Sequence, residues 1–330
     1  MGTKLLMDQI IGHFPQRNLR FIFAYGSGVF QQYGHADASK NMLDFVFGVD
    51  DSVAWHEENF LHNRSHYSSL RHLGLKNIVH IQDHLGARVY YNTLVPCEGR
   101  LVKYGVISMQ SLVNDLLDWE TLYMSGRLHK PVTVLRLGTA AGGNTDLSQA
   151  LVMNLQSAVR TSLLLLPEQF SEEELYTAIA SLSYTGDFRM IFGEDRDKVQ
   201  NIVRPNVELF RRLYEPVLNS GNHLHWNKTQ SLIEQDLSTA SRFHHLNLLP
   251  KTLMFSLVNR RNIDGRHRDT EEVLQSLADD SECPDVVRKC VAGIVLRSSI
   301  TQTVKSVFTA GVIKTVRYAF SKLRKMWKIK

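Results

Sequence analysis

The apolar run at residues 21–25 (FIFAY) stops at Gly26-Ser27-Gly28, and this junction constrains the fold more than any other stretch of the chain. It reads as a buried strand entering a tight turn. Residues 43–49 (LDFVFGV) have the same character, with Asp44 near the start. Residues 89–91 and 101–107 (LVKYGVI) are further strand candidates with a turn at Gly99 between them, and residues 111–119 read as a helix. The first half is therefore predicted to be α/β, a mixed sheet with helices. Residues 137–144 (LGTAAGGN) read as a linker. Asp146 with Gln149, then Ser171 with Glu174, show the capping-box pattern, and Leu147, Leu151, Leu155 and Val159 follow at helical spacing. The second half is predicted to be mainly helical, with a domain boundary near 130–145.

Composition narrows the class. Of 330 residues, 43% are hydrophobic and 22% charged, which excludes a disordered chain and leaves ample material for a core. Three cysteines, Cys97, Cys283 and Cys290, cannot build a disulfide scaffold or a four-cysteine zinc site, and they point to a reducing compartment. The leucine run at 163–166 is far short of the roughly 20 residues a spanning helix needs. Residues 1–11 form a short amphipathic stretch with both Lys4 and Asp8, whereas a mitochondrial presequence is Arg-rich and poor in acids.

Charge is unevenly placed. The chain carries 38 Lys/Arg against 33 Asp/Glu, yet residues 286–330 hold 11 of the bases and no acid. A mildly acidic body thus carries a basic tail, which suggests an anionic partner. Phe308, Val312, Val316, Ala319, Leu323, Met326 and Trp327 share one helical face, and Lys314, Arg317, Arg324, Lys325 and Lys328 gather opposite. That is the pattern of an interfacial helix on an anionic bilayer, with Lys314, Arg317, Phe320, Leu323, Arg324 and Trp327 as the expected contacts. A helix packed on the body and a nucleic-acid arm are the alternatives. The clean apolar face argues against nucleic acid.

A strand, a Gly-Ser turn and then an acid on the next strand suit nucleotidyl transfer. Glycines let the backbone approach a triphosphate, and backbone N–H groups with the Ser27 hydroxyl bond phosphate oxygens. A carboxylate on the neighbouring strand, Asp44, can hold Mg²⁺. The bland reading is a plain Gly-rich turn and a strand-edge Asp. Neither a P-loop nor a dinucleotide fingerprint is present, and Gly26-Ser27-Gly28 is not a nucleophile elbow. His62/His66 and His80/His84 sit at i, i+4 without a metalloprotease glutamate and are expected to serve surface or packing roles. Lys103, on a predicted strand beside Tyr104, is placed to reach phosphate. Asp187 and Arg189 read most simply as a structural ion pair.

Eight segments occur in the same order as in one known family: FAYGSGVFQQ (23–32), MLDFVFGVDD (42–51), HYSSL (66–70), VYYNTLV (89–95), KYGVIS (103–108), GRLHKPV (126–132), LSYTGDFRM (182–190) and FTAGVIKTVRYA (308–319). The chain resembles the mitochondrial phosphatidate cytidylyltransferases, the peripheral CDP-diacylglycerol synthases, from about residue 10 to the end. The resemblance implies a nucleotidyltransferase domain (1–135), a helical winged-helix-like domain (146–285) and a basic C-terminal region (286–330) with the membrane-contacting helix. It implies CTP and phosphatidate as substrates, Mg²⁺ as cofactor, and a peripheral place on the matrix side of the inner mitochondrial membrane, for cardiolipin and phosphatidylglycerol synthesis. Gly26, Ser27 and Gly28 match the triphosphate motif and Asp44 the first strand carboxylate. Lys103 is expected at a phosphate, with Tyr104, Asp187 and Arg189 as further substrate contacts. The wider superfamily has a second acid two residues after the first; here that position is Val46, and Asp50, Asp51 and Asp187 are the candidates to replace it. The alternatives are a non-catalytic peripheral membrane scaffold and an RNA-directed nucleotidyltransferase.

Overall fold

The computed structural model describes residues 2–30, 41–138, 146–192, 197–220 and 224–311. The chain forms two compact units, both discontinuous in sequence. The first comprises Met1–Val113, Val132–Thr145 and Ser299–Lys330; the second comprises Asn114–Pro131 and Asp146–Ser298. This differs from the continuous division at 1–135, 146–285 and 286–330, because residues 114–131 pack within the second unit and residues 299–311 within the first.

The first unit is built on five strands: β1 (Leu19–Tyr25), β2 (Leu43–Val49), β3 (Tyr90–Cys97), β4 (Arg100–Ser108) and β5 (Thr133–Leu137). Their order is β3-β4-β2-β1-β5; β2 and β4 run parallel, and every other neighbouring pair is antiparallel. The mixed α/β character expected from the sequence is thus present. Glu98 and Gly99 both have positive φ, 48° and 70°, which makes the β3–β4 connection the two-residue turn that matches strand twist. β5 fell inside and before the stretch read as linker, where its exposed Val134 and Leu137 give no core pattern.

Alternation along β2 sends Leu43, Phe45, Phe47 and Val49 into one core with Ile22, Trp55, Val102, Tyr104 and Val106. Tyr104 is fully buried there, its ring 4.7 Å from Phe14 and 5.6 Å from Phe47. Its hydroxyl accepts from Asn59 Nδ2 (3.1 Å) and Asn92 Nδ2 (2.8 Å), and lies 3.1 Å from His66 Nδ1. This network continues through Tyr67 to His56, whose Nε2 lies 2.8 Å from Gln82 Oε1.

The second unit is mainly helical, as expected. The helix Glu172–Ser181 starts on a complete capping box from Ser171 and Glu174. A small sheet of β6 (Gln169–Ser171), β7 (Leu224–Asn227) and β8 (Leu232–Gln235), in the order β6-β8-β7, accompanies the helices. The long helix Cys283–Ala310 buries Val287, Val291, Ile294 and Val295 in this unit's core. A separate region starting at 286 is therefore not what the chain forms. Beyond residue 298 the same helix belongs to the first unit. There Gln302 Oε1 accepts from Ala87 N (2.9 Å), and Lys305 Nζ donates to the carbonyls of Gln82 (3.1 Å) and Leu85 (2.8 Å). Gly86 permits this docking, since a Cβ would lie 2.7 Å from Gln302 Oε1. Among the described residues no helix is long and apolar enough to cross a membrane.

Each unit buries a neutral histidine. Burial holds His56 down to about 4, partly offset by its Gln82 hydrogen bond. In the second unit, burial and then Lys130 hold His129 down to about 3. In the unfolded chain both protonate below about 6.5, so unfolding takes up protons and stability falls as pH drops from 6.5 through 4. The expected loss is roughly 2–3 kcal/mol per histidine at pH 4.5, read as a fall in Tm of several degrees from pH 7.5. A Tm that does not change across that range would contradict the neutral assignment.

Candidate active site

Three strands converge on one point. Asp44 on β2 lies opposite Tyr25 on antiparallel β1 and opposite Lys103 on parallel β4. Cross-strand neighbours share a face, so Tyr25, Asp44 and Lys103 stand side by side on the face turned away from the Phe45–Phe47–Tyr104 core. Lys103 Nζ lies 3.9 Å from Asp44 Oδ1, and both side chains are about four-fifths buried, at 23% and 19% exposed. The lysine also sits 4.6 Å above the centre of the Tyr91 ring. Gly105 makes room for that ring: a Cβ there would come 2.5 Å from Tyr91 Cε1. A cation held between a carboxylate and an aromatic face keeps its charge in a partly dry site.

The Gly-Ser-Gly turn closes over the same end of the sheet. Gly26 has φ +82°, and a Cβ on it would lie 3.2 Å from Asp44 Oδ2. Its carbonyl accepts from the N–H of Val29 (3.0 Å) and Phe30 (2.9 Å), so the chain enters a helical turn directly after the strand. Gly28 packs on backbone: a Cβ would lie 2.4 Å from the Met42 carbonyl oxygen. Asn41 Nδ2 donates to Ser27 O (3.2 Å), and Arg100 Nη2 donates to Asn41 O (2.7 Å). Both glycines are thus required by contact, and the turn is tied to the start of the strand that carries Asp44. Asn41, Tyr91 and Arg100 were not singled out from sequence. Tyr91 lies in a segment shared with the family, which was its only signal.

The other sequence candidates separate. Tyr104 is a neighbour of Lys103 in sequence but points to the opposite face, where its buried, multiply bonded hydroxyl leaves no surface for a substrate. Asp50 pairs with Arg20, and Asp51 caps the helix Ser52–His62 by accepting from Val53 N (2.9 Å) and Ala54 N (3.0 Å). Both follow the far end of β2, about 20 Å of strand from Asp44. Asp187 and Arg189 belong to the second unit. There Asp187 is buried and takes Arg189 in a two-pronged ion pair, with Nε 3.0 and 3.1 Å from its oxygens. Val46, where a second acid was sought, is fully buried. The histidine pairs do not converge: His62 Nδ1 bonds Glu58 O, His66 bonds Tyr104, and His80 stacks on His84 at 4.5 Å. The six tail residues, Lys314, Arg317, Phe320, Leu323, Arg324 and Trp327, lie outside the described residues.

Among the described residues no group of three or more His, Cys, Asp or Glu is gathered for a metal. Asp44 alone offers a carboxylate beside the turn. That donor set fits Mg²⁺ in its usual nucleotide role, in which one or two carboxylates and the substrate phosphates share the ion.

Comparison with known proteins bears on this geometry. The family model described as "Phosphatidate cytidylyltransferase, mitochondrial" matches residues 7–325. A protein of that name from Danio rerio is 51% identical over 329 residues, covering 99% of this chain and 96% of that protein. One from Xenopus laevis is 49% identical over 98% of this chain and 95% of its own length, and one from Caenorhabditis elegans is 42% identical over 98% of each. A solved nucleotidyltransferase-like protein from Exiguobacterium sibiricum aligns over 93% of this chain and 77% of its own, at 10% identity and a TM-score of 0.26, too low to bear on the fold. Matched along nearly its whole length, with the Gly-Ser-Gly turn, Asp44 and Lys103 inside the match, the chain belongs to the mitochondrial phosphatidate cytidylyltransferase family.

Proposed function

We propose that this chain transfers a cytidylyl group from CTP to phosphatidate, forming CDP-diacylglycerol and pyrophosphate at the first unit's sheet. The observation that carries the reading is the convergence of the Gly26–Gly28 turn, Asp44 and Lys103 in a chain of this family. The triphosphate lies against the turn, where a Cβ at either glycine would obstruct it. Asp44 holds Mg²⁺, which neutralises phosphate charge and polarises the α-phosphorus when bound. Lys103, already clamped between Asp44 and Tyr91, presents its ammonium to a phosphate oxygen. An oxygen of the phosphatidate headgroup forms the new bond to the α-phosphorus, and the bond from that phosphorus to the bridging oxygen breaks, so the electron pair leaves with pyrophosphate. A phosphate monoester has a second pKa of about 6, so the nucleophile is already ionised and no general base is needed. Positioning and charge neutralisation supply the rate.

The second unit is read as winged-helix-like, on the support of its helices with the small sheet β6-β8-β7. The basic tail at 312–330 is read as the part that meets an anionic bilayer, since phosphatidate resides there, and the place of action as the matrix side of the inner mitochondrial membrane. There the product would serve cardiolipin and phosphatidylglycerol synthesis.

Pyrophosphate release tests the reading. With CTP, Mg²⁺ and liposomes containing phosphatidate, release is expected only when all three are present. No release from folded, liposome-bound protein would favour a non-catalytic scaffold. Release with CTP and RNA in place of lipid would favour the RNA-directed alternative.

A further inference from the structure

Two segments shared with the family, residues 126–132 and 182–190, lie far from each other in sequence and outside the unit that holds Asp44. They meet through Gly126: a Cβ there would lie 2.4 Å from Ser183 Cβ, so the two backbones approach as closely as glycine allows. The contact gathers positive charge. Lys130 Nζ donates to Ser183 Oγ (2.8 Å) and to the Gly126 carbonyl, and lies 5.2 Å above the Tyr184 ring. These printed partners are neutral, so none of them balances its charge. Arg127 lies 5.5 Å from the centre of the Tyr123 ring. It is close enough to act as a like charge on both Lys130 and Arg189, and Tyr123 acts on Arg189 as well. Asp187 is the carboxylate of the group, and it is engaged by Arg189.

Packing Arg127, Lys130 and Arg189 together in half-buried positions is costly in the empty protein. Burial first, and then Arg127, pull the Lys130 ammonium down to about 7. Two phenol rings and a serine hydroxyl complete a surface rich in donors. A guanidinium fork beside an ammonium suits a compact, multiply charged oxyanion.

We propose that Arg127, Lys130, Arg189 and Ser183 form a second anion site, on the second unit, that binds a phosphate-bearing dianion. The naming of its occupant rests on the reading of the chain as a cytidylyltransferase. That reading supplies two candidates with the same chemistry, the phosphatidate headgroup and pyrophosphate.

Calorimetric titration of the full chain without Mg²⁺ tests the site independently of turnover. The probes are dihexanoyl phosphatidate, which is soluble, and inorganic pyrophosphate, with dihexanoyl phosphatidylcholine as the control. Arg127→Gln and Lys130→Met are each expected to weaken one probe by about tenfold or more, the effect of losing a charged hydrogen bond. Arg127→Lys should restore part of that loss, which distinguishes charge from packing. Weakened phosphatidate binding assigns the site to the lipid headgroup, and weakened pyrophosphate binding assigns it to the leaving group. Asp44→Asn should leave the Arg127-dependent part unchanged, so a failure of the proposed reaction would not by itself remove the site. If one variant fails to fold, as judged by its thermal transition, the other carries the test. Equal affinity of both probes for wild type and a folded variant would overturn the proposal. So would an absence of binding of either probe to wild type at millimolar concentration.

Discussion

Asp44→Asn is expected to lower cytidylyl transfer by about 10³-fold while leaving Tm within a few degrees of wild type. The asparagine keeps the shape and one carbonyl oxygen but removes the charge that attracts a divalent ion. A thousandfold loss corresponds to ~4 kcal/mol of transition-state stabilisation, within what a metal-bound phosphoryl transfer draws from its ion. The fold should tolerate the change because the Lys103–Asp44 contact, at 3.9 Å, is a loose ion pair rather than a tight hydrogen bond. The measurement is pyrophosphate release at saturating CTP with phosphatidate liposomes, alongside thermal unfolding of the same preparation. A folded variant that retains more than a tenth of the activity would remove Asp44 from the metal role and direct attention to the masked stretch 31–40.

Gly28→Ala is expected to be nearly as damaging to activity, and to cost stability too. The added methyl would sit 2.4 Å from the Met42 carbonyl oxygen, 3.1 Å from its carbon and 3.2 Å from Leu43 Cδ2. Two of those three atoms are backbone and cannot rotate away, so the turn or the start of β2 must shift. Overpacking of this kind costs about 1–3 kcal/mol. The shift arises two residues from Asp44, and misplacement by about 1 Å can cost on the order of 10²-fold in rate. Gly12→Ala is the matched control. Nothing lies within 4 Å of a Cβ there, in the last position of the helix Gly2–Gly12, and the substitution should be neutral or slightly stabilising. Equal Tm and turnover for Gly28→Ala and wild type would show that the turn has slack the coordinates do not.

Much of this site was readable along the chain because its parts are local. The strand at 43–49 appears with the same limits as β2, since Leu43, Phe45, Phe47 and Val49 alternate with Asp44 and Val46 and the run ends at Asp50. The capping box at Ser171 and the turn at Gly99 are contained within four residues, and both formed. The Gly-Ser-Gly turn announced itself because a strand ending in two glycines has few other uses.

What stayed hidden depends on partners far apart in sequence. Nothing local shows that β2 and β4 run parallel with Asp44 opposite Lys103, and that register alone makes the pair. The same register turns Tyr104 away, because a strand sends consecutive side chains to opposite faces. Asp50, Asp51 and Asp187 looked as eligible as Asp44 by residue type. Their difference is that Arg20, a helix N-terminus and Arg189 respectively engage them. β5 is short, half-exposed and stabilised only by pairing with β1, so its sequence resembles a linker.

The residue types, the strand and turn periodicities and the family came from the order of amino acids, because each depends on neighbours within a few positions or on matching along a line. The division into two discontinuous units, the Tyr25–Asp44–Lys103 row and the Arg127–Lys130–Ser183 contact were decided only by tertiary structure. Each joins segments tens of residues apart, and close packing between distant backbones, which only a glycine or a particular register permits, leaves no mark on local periodicity.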